Sequence, residues 1–276
     1  MNYTPSDLHA MSGQIIRQAE QAELILKNAQ SLLDNIQNSW RKPELRYKSA
    51  SVVDIVSKPG EDNDFSFTLQ DGNTYEAIVP AEFNLDTDLI SGVKQPNTYY
   101  YIYHMPADAT SLTAKGCTED PDIGPSGFTS HKYIGTILTD AKAEIVNFTT
   151  TKNGCIVHST KLIERLKNED MKVGSSAVAV SLNMLPKTAS IAMLRGIVES
   201  DDLDGGLVNF YVDGSQNKVS IASIYSRYNA DQSPLSFDMP IVDVNNPRLY
   251  RRISNFRKCE YCQYQLLLTG WIDRYV

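Results

Sequence analysis

The sequence has no excess of positive charge: 26 Lys and Arg stand against 33 Asp and Glu, a formal charge of −7. Phosphate backbones are bound by clustered cations, so no nucleic-acid groove is expected. No uninterrupted run of about 18 apolar residues occurs, and no helix is expected to span a membrane. The opening MNYTPSDLHAMSGQ lacks a basic stretch followed by an apolar one. No signal peptide is expected from it, and synthesis in a cytoplasm is the default. The motifs G-x-S-x-G, G-x-x-x-x-G-K-[ST] and G-x-G-x-x-G after a strand are also missing, so no nucleophile elbow, phosphate loop or dinucleotide fingerprint is expected. No cofactor is predicted.

Cysteine and histidine are scarce, with four of each. Cys259 and Cys262 form a C-x-x-C, but a structural zinc needs two further ligands and the remaining Cys117, Cys155, His9, His104, His131 and His158 show no second pair. The segment CEYCQYQLLL reads as strand, where residues three apart face opposite ways. Plain reduced thiols are the simpler reading. No metal site is predicted.

Aspartate is more plentiful. Asp86/Asp88, Glu119/Asp120/Asp122 and Asp201/Asp202/Asp204 could in principle pair for glycan cleavage, which uses two carboxylates. All lie in polar, turn-like stretches, where aspartate ordinarily caps backbone amides. Asn84, Asp86 and Asp88 alternate as in a calcium loop, but Leu89 stands where that loop needs glycine and Gln95 where it needs glutamate. No catalytic residue is predicted.

The first forty or so residues have helical periodicity. Thr4, Pro5 and Asp7 form a helix start signal. Leu8, Met11, Ile15, Ala22, Ile25, Ala29, Leu32 and Ile36 then recur at steps of three and four, with polar Gln18 as the single interruption between Ile15 and Ala22, until Pro43 stops the run. A helix of about 35 residues would be about 50 Å long. Its apolar stripe is expected to form an oligomer interface or to dock into a larger assembly. Beyond Leu45 the texture is strand-like. DFSFTLQDGNTYEAIVP alternates on both sides of an Asp71-Gly72 turn, and TYYYIYHMP is aromatic on both faces. A loop of about 25 residues, rich in Gly, Pro, Ser and Asp, precedes the alternating run YIGTILTDAKAEIVNF; loops of that length usually have a task. STKLIERLKNEDMKVG offers a capping Ser159 or Thr160 and a face of Leu162, Ile163 and Leu166, which predicts a short helix. Short strands follow to the end.

The aromatics are the remaining candidates for binding. Tyr99, Tyr101, Tyr103 and Trp271 could stack on a sugar if exposed, or could be core.

The run from Thr98 to Phe148 resembles a motif of tailed-bacteriophage virion proteins of the fibre, head-fibre and spike type. The residues that carry it are Tyr99, Tyr101 and Tyr103, then Lys132, Tyr133, Ile134 and Gly135, then Thr139 and Asp140, then Ile145 and Phe148. It covers about a fifth of the chain. The turn departs from the pattern: Asp140-Ala141-Lys142-Ala143-Glu144 has no glycine for a positive φ. The ending LLLTGWIDRYV resembles the closing strand of such modules more weakly. The resemblance implies a non-enzymatic virion protein, made in a bacterial cytoplasm, with an N-terminal helix for trimerisation or attachment.

The expected fold is mainly β with an N-terminal long α-helix and two antiparallel β-sandwich or partly closed barrel domains. Residues 1–44 would be the helical arm, 45–158 the first β-rich domain, 159–174 a linking helix and 175–276 the second β-rich domain. The expected function is a fibre, head-fibre or adaptor component of a tailed phage. It would be a homotrimer that contacts other virion proteins through the helix. A host-glycan-binding module and a glycan depolymerase are the alternatives.

Overall fold

The computed structural model describes residues 43–57, 64–69, 71–78, 81–109, 111–119, 121–151, 154–167, 176–200, 206–212, 220–226, 233–243, 245–254 and 262–274. The strands in chain order are β1 (Glu44–Tyr47), β2 (Val52–Val56), β3 (Asp64–Thr68), β4 (Thr74–Ile78), β5 (Ala81–Asn84), β6 (Tyr99–Pro106), β7 (Leu112–Cys117), β8 (Lys132–Leu138), β9 (Phe148–Thr151), β10 (Gly154–Lys167), β11 (Val178–Ser181), β12 (Ala189–Ser200), β13 (Gly206–Tyr211), β14 (Ala222–Ser226), β15 (Ser233–Pro240), β16 (Arg248–Ser254) and β17 (Cys262–Asp273). They pair as β1-β2-β5, β7-β6-β8, β3-β4, β15-β12-β17-β10-β9 and β11-β16-β13-β14, every strand pair antiparallel.

The expected mix of a long helix and two β domains is therefore corrected: no described residue is helical. The arm expected over residues 1–44, with Leu8, Met11, Ile15, Ala22, Ile25, Ala29, Leu32 and Ile36, lies outside the described residues apart from Pro43 and Glu44, and Glu44 opens β1. The linking helix expected over 159–174 is also corrected, because residues 159–167 continue strand β10. The error has a physical cause. Leu162 pairs with Leu267 and Glu164 with Leu266, so Ile163 is an extra residue in the ladder. A bulge of this kind shifts the two-residue alternation by one. Apolar Leu162, Ile163 and Leu166 then fall at the spacing of a helix face.

The two larger sheets pack face to face. Gly196 in β12 lets them approach: a Cβ there would sit 2.1 Å from Ile224 Cδ1. Phe210 of β13 reaches across to Phe237 and Tyr264, with ring centroids 4.7 and 6.1 Å apart. Arg251 of β16 bridges the layers by donating to both carboxylate oxygens of Glu164 in β10, at 2.7 and 2.9 Å. The smaller sheets β1-β2-β5 and β7-β6-β8 are joined by backbone bonds between the Asp88–Ile90 segment and Gly116. One continuous core runs from Leu45 in β1 to Trp271 in β17. The residue-158/159 boundary expected between domains falls inside β10, within that core's reach.

The hairpin after β8 is short. Only Thr139 and Ile145 bridge, Asp140 Oδ1 accepts from the Lys142 and Glu144 amides, and Ala143 takes φ +60°. The chain then leaves to form β9 on another sheet instead of returning fully along β8. The β3-β4 hairpin forms with the register Phe67 to Tyr75, closed by the Leu69 amide on the Asn73 carbonyl, a loop one residue longer than the two-residue turn read from Asp71-Gly72.

Two outcomes follow for stability. Gly196→Val should cost about 1–3 kcal/mol by overpacking against Ile224, read from urea unfolding. Arg251→Met alone should cost about 3 kcal/mol, because Glu164 is left mostly buried and unpaired, whereas Arg251→Met with Glu164→Leu should recover most of it. Equal loss in the single and double variants would contradict the bridging role.

Candidate functional site: a buried polar junction

The aromatic strand β6 lies at the centre of its sheet, and both of its faces are covered. Tyr100 and Ile102 point into the main core, while Tyr101, Tyr103 and Met105 join Cys117 and Tyr133 in a second buried cluster. Strand β8 supports that second cluster through a bulge. Ile102 pairs with Gly135 but Tyr103 pairs with Tyr133, so Ile134 is the extra residue. Residues three apart in a regular strand face opposite ways. The bulge instead places Tyr133 and Thr136 on one face, with their hydroxyls 2.6 Å apart. Gly135, on the opposite face, leaves room for Leu45, whose Cδ1 would lie 2.8 Å from an added Cβ.

This face of β6 and β8 docks on the 184–188 segment and the end of β17. Tyr99 donates its hydroxyl to the Met184 carbonyl, and Tyr101 accepts from the Lys187 amide at 3.2 Å. Tyr133 donates to the carboxylate of buried Asp273, and Thr136 meets Thr188 at 3.3 Å. The Tyr99 ring stands edge-on to Trp271, centroids 5.5 Å apart and planes at 89°. Arg274, which follows Asp273, sends its amide to the Thr188 carbonyl and its guanidinium to Asp122 at 2.6 Å. Asp122 belongs to the long loop before β8. Glu119 braces that loop from inside by accepting from the Ser126 amide and hydroxyl at 2.5 and 2.6 Å.

Burial sets the chemistry of these groups. It raises the Tyr99 and Tyr133 phenols, with the Asp273 carboxylate adding to the effect at Tyr133. It pushes the Cys155 thiol up to about 12, and the Asp273 charge contributes second. A nucleophilic cysteine needs its thiolate near neutral pH, and this environment favours the thiol. Burial also lowers His104 to about 4, which keeps the imidazole neutral at neutral pH. The junction holds its protons and binds sheet to sheet.

The expected site residues fare unevenly. Tyr101, Tyr103 and Trp271, proposed for sugar contact, are buried, and Tyr99 is half-buried with its hydroxyl committed to Met184. The structure does bring Tyr99 and Trp271 together, but as an interior ring pair. The acidic candidates are caps and ion pairs: Asp86 with Lys94 at 2.7 Å, and Asp88 accepting from the Asn84 amide and from Lys115. Asp120, Asp201, Asp202 and Asp204 lie outside the described residues, as does Cys259. Among the described residues no group of three or more His, Cys, Asp or Glu is placed to hold a metal. Sequence reasoning passed over Asp273, Thr188 and the Glu164–Arg251 pair. A charged residue closing an otherwise apolar strand, as Asp273 does after LLLTGWI, was the available signal.

No protein-family model and no curated protein matches the chain. Among solved structures, similarity extends to a subunit of Bacillus endospore appendages, described as disulfide-linked pili, at 12% identity over 46% of this chain and 99% of that one, TM-score 0.26. It also extends to the VP2 subviral particle of infectious bursal disease virus, at 9% identity over 85% and 66%, TM-score 0.24. The Gx strain of that virus gives 10% identity over 84% and 72%, TM-score 0.20. These weak neighbours are viral and pilus structural proteins; at such TM-scores they establish no shared fold.

His104 gives the junction's sheet a pH dependence. Above pH 6.5 it is neutral folded or unfolded. Below 6.5 the unfolded chain takes up a proton that the folded chain refuses until about 4. Stability should therefore fall by about 3 kcal/mol as pH drops through that window. Urea unfolding of the protein and of His104→Leu across the window checks it: the variant should lose that share of the slope, and parallel curves would contradict it.

Proposed function

We propose that the chain is a non-enzymatic structural subunit of a tailed-phage particle, a fibre, head-fibre or adaptor component. The observation that carries this reading is how the interior polar groups are used. Tyr99, Tyr101, Tyr133, Asp273, Glu164 and Arg251 bind one sheet to the next, and burial holds the Cys155 thiol protonated. Groups locked in this way stiffen a frame and are poorly placed for turnover. The residues of the virion-type motif contribute directly: Tyr99, Tyr101, Tyr103, Tyr133 and Gly135 form the sheet and bulge that build the junction. The expected homotrimer rested on residues 1–44, which lie outside the described residues apart from Pro43 and Glu44.

The reading is checked by mass spectrometry of purified particles from cells that make the protein. It should co-purify with intact virions through a density gradient in a fixed ratio to the major capsid protein. Recovery only in the soluble lysate would remove the proposal. Release of reducing ends from host polysaccharide by the pure protein would replace it with the depolymerase.

A further inference from the structure

The five-stranded sheet has two faces, and the main core of the described residues packs against one of them. Its inner face carries Leu194, Val198, Leu266 and Leu268, all in the main core. The ladder register defines the outer face. Ile191 pairs with Ile272, Arg195 with Leu267, Ile197 with Gln265 and Glu199 with Gln263. On the flanks Asp238 pairs with Met193, and Arg165 and Lys167 pair with Gln265 and Gln263. Paired residues in an antiparallel ladder share a face.

Ile191, Met193, Ile197, Leu267 and Ile272 are each half-buried, yet none belongs to either core cluster or to the side chains packed on one. The register sets Ile191 beside Ile272, and sets Leu267 opposite β12 between Met193 and Ile197. Arg165, Lys167 and Asp238 lie at the flanks, while Arg195 sits among the aliphatic side chains, opposite Leu267 and between Met193 and Ile197; all four charges are exposed. Aliphatic side chains interleaved with an arginine and flanked by charge suit a protein interface, where arginine is enriched.

We propose that this outer face is the contact between two copies of the chain, packed sheet on sheet about a two-fold axis. The inference deepens the reading of the protein as an assembling subunit. Charge argues for a second copy as the occupant. A two-fold contact meets its own surface, so one face must carry both signs. This one does: Arg165, Lys167 and Arg195 share it with Glu199 and Asp238. Among the described residues Arg165, Lys167, Arg195 and Asp238 enter no ion pair, which leaves them free to pair across the axis. The size also suits. Eight residue steps along β12 and four strands across give a footprint of about 500 Å² per copy, or about 1,000 Å² for the pair, the lower bound of a specific interface. Edge-to-edge growth is disfavoured where β15 borders the sheet, because Pro234 and Pro240 remove amides from that edge.

The test is the molar mass of the full chain by light scattering at about 100 µM, well above the Kd of a specific contact. An even number of copies is expected. Leu267→Lys places a cation at the centre of the patch and should raise the dissociation constant at least tenfold. Arg195→Glu changes only an exposed position, so it should fold normally and still weaken association; circular dichroism and the unfolding midpoint confirm folding for both. A single-copy mass for the parent chain overturns the interface, whether residues 1–42 or another protein covers the face. An unchanged mass for both folded variants overturns it as well, since the copies would then meet elsewhere. A single-copy protein that still co-purifies with virions would sink this contact and leave the virion reading intact.

Discussion

A buried backbone amide must find an acceptor, and this chain meets that demand through one strand above all others. β17 is paired along its length, to β12 on one side and β10 on the other. Its inner face supplies Tyr264, Leu266, Leu268 and Trp271 to the core, and its last residue, Asp273, receives the Tyr133 hydroxyl. Without β17 the five-stranded sheet separates into β15-β12 and β10-β9, and the sheet of β6 and β8 loses its buried anchor. Strand pairs so far apart in sequence cost loop entropy before they return any stability. The five-stranded sheet is therefore held together by β17.

Between the sheets the polar contacts are few but buried, and their value lies more in specificity than in net stability. A buried ion pair such as Glu164–Arg251 gains little over apolar packing of the same volume, because both ions give up water. It does define which pairing of layers is allowed: any slip of β16 against β10 leaves both charges buried and alone. Asp273 does the same for the other junction, since a one-residue slip in β17 would turn its carboxylate to the outer face and leave the Tyr133 hydroxyl without it. Two apolar interfaces that could slide over each other are thus fixed by polar pins.

How far the sequence revealed this depends on how local each signal is. Alternation and turn chemistry located β3, β4, β6 and β8, because period-two patterning and Gly72 act within a few residues. The bulges were invisible. An extra residue at Ile163 turned a strand into an apparent helix, and an extra residue at Ile134 brought Tyr133 to Thr136, which simple alternation keeps apart. Alternation allows at most half of the aromatic set to face outward, and only if one face of β6 meets solvent. Segment 184–188, distant in sequence, covers that second face instead. Ala143 shows the opposite case. The missing glycine pointed to an altered turn, and the structure places an alanine at φ +60° there, with Asp140 capping two amides to hold it.

A β protein that assembles has to separate two kinds of contact that use the same chemistry. Strand edges offer unpaired amides and invite open-ended addition, while faces offer a bounded patch that closes on itself. Here the edges are managed one by one. β15 carries prolines, β9 lies against β1 with the Thr150 hydroxyl donating to the Leu45 carbonyl at 2.6 Å, and β11 is only four residues long. The outer face of the five-stranded sheet is treated differently. Arg165, Lys167 and Asp238 lie at its flanks, and its aliphatic side chains surround Arg195. Were that face meant only for water, period-two patterning would place polar residues where Ile191, Met193, Ile197, Leu267 and Ile272 stand, at no cost to the core beneath. Their presence on the far side of a fully formed sheet is what the core packing of the described residues does not require.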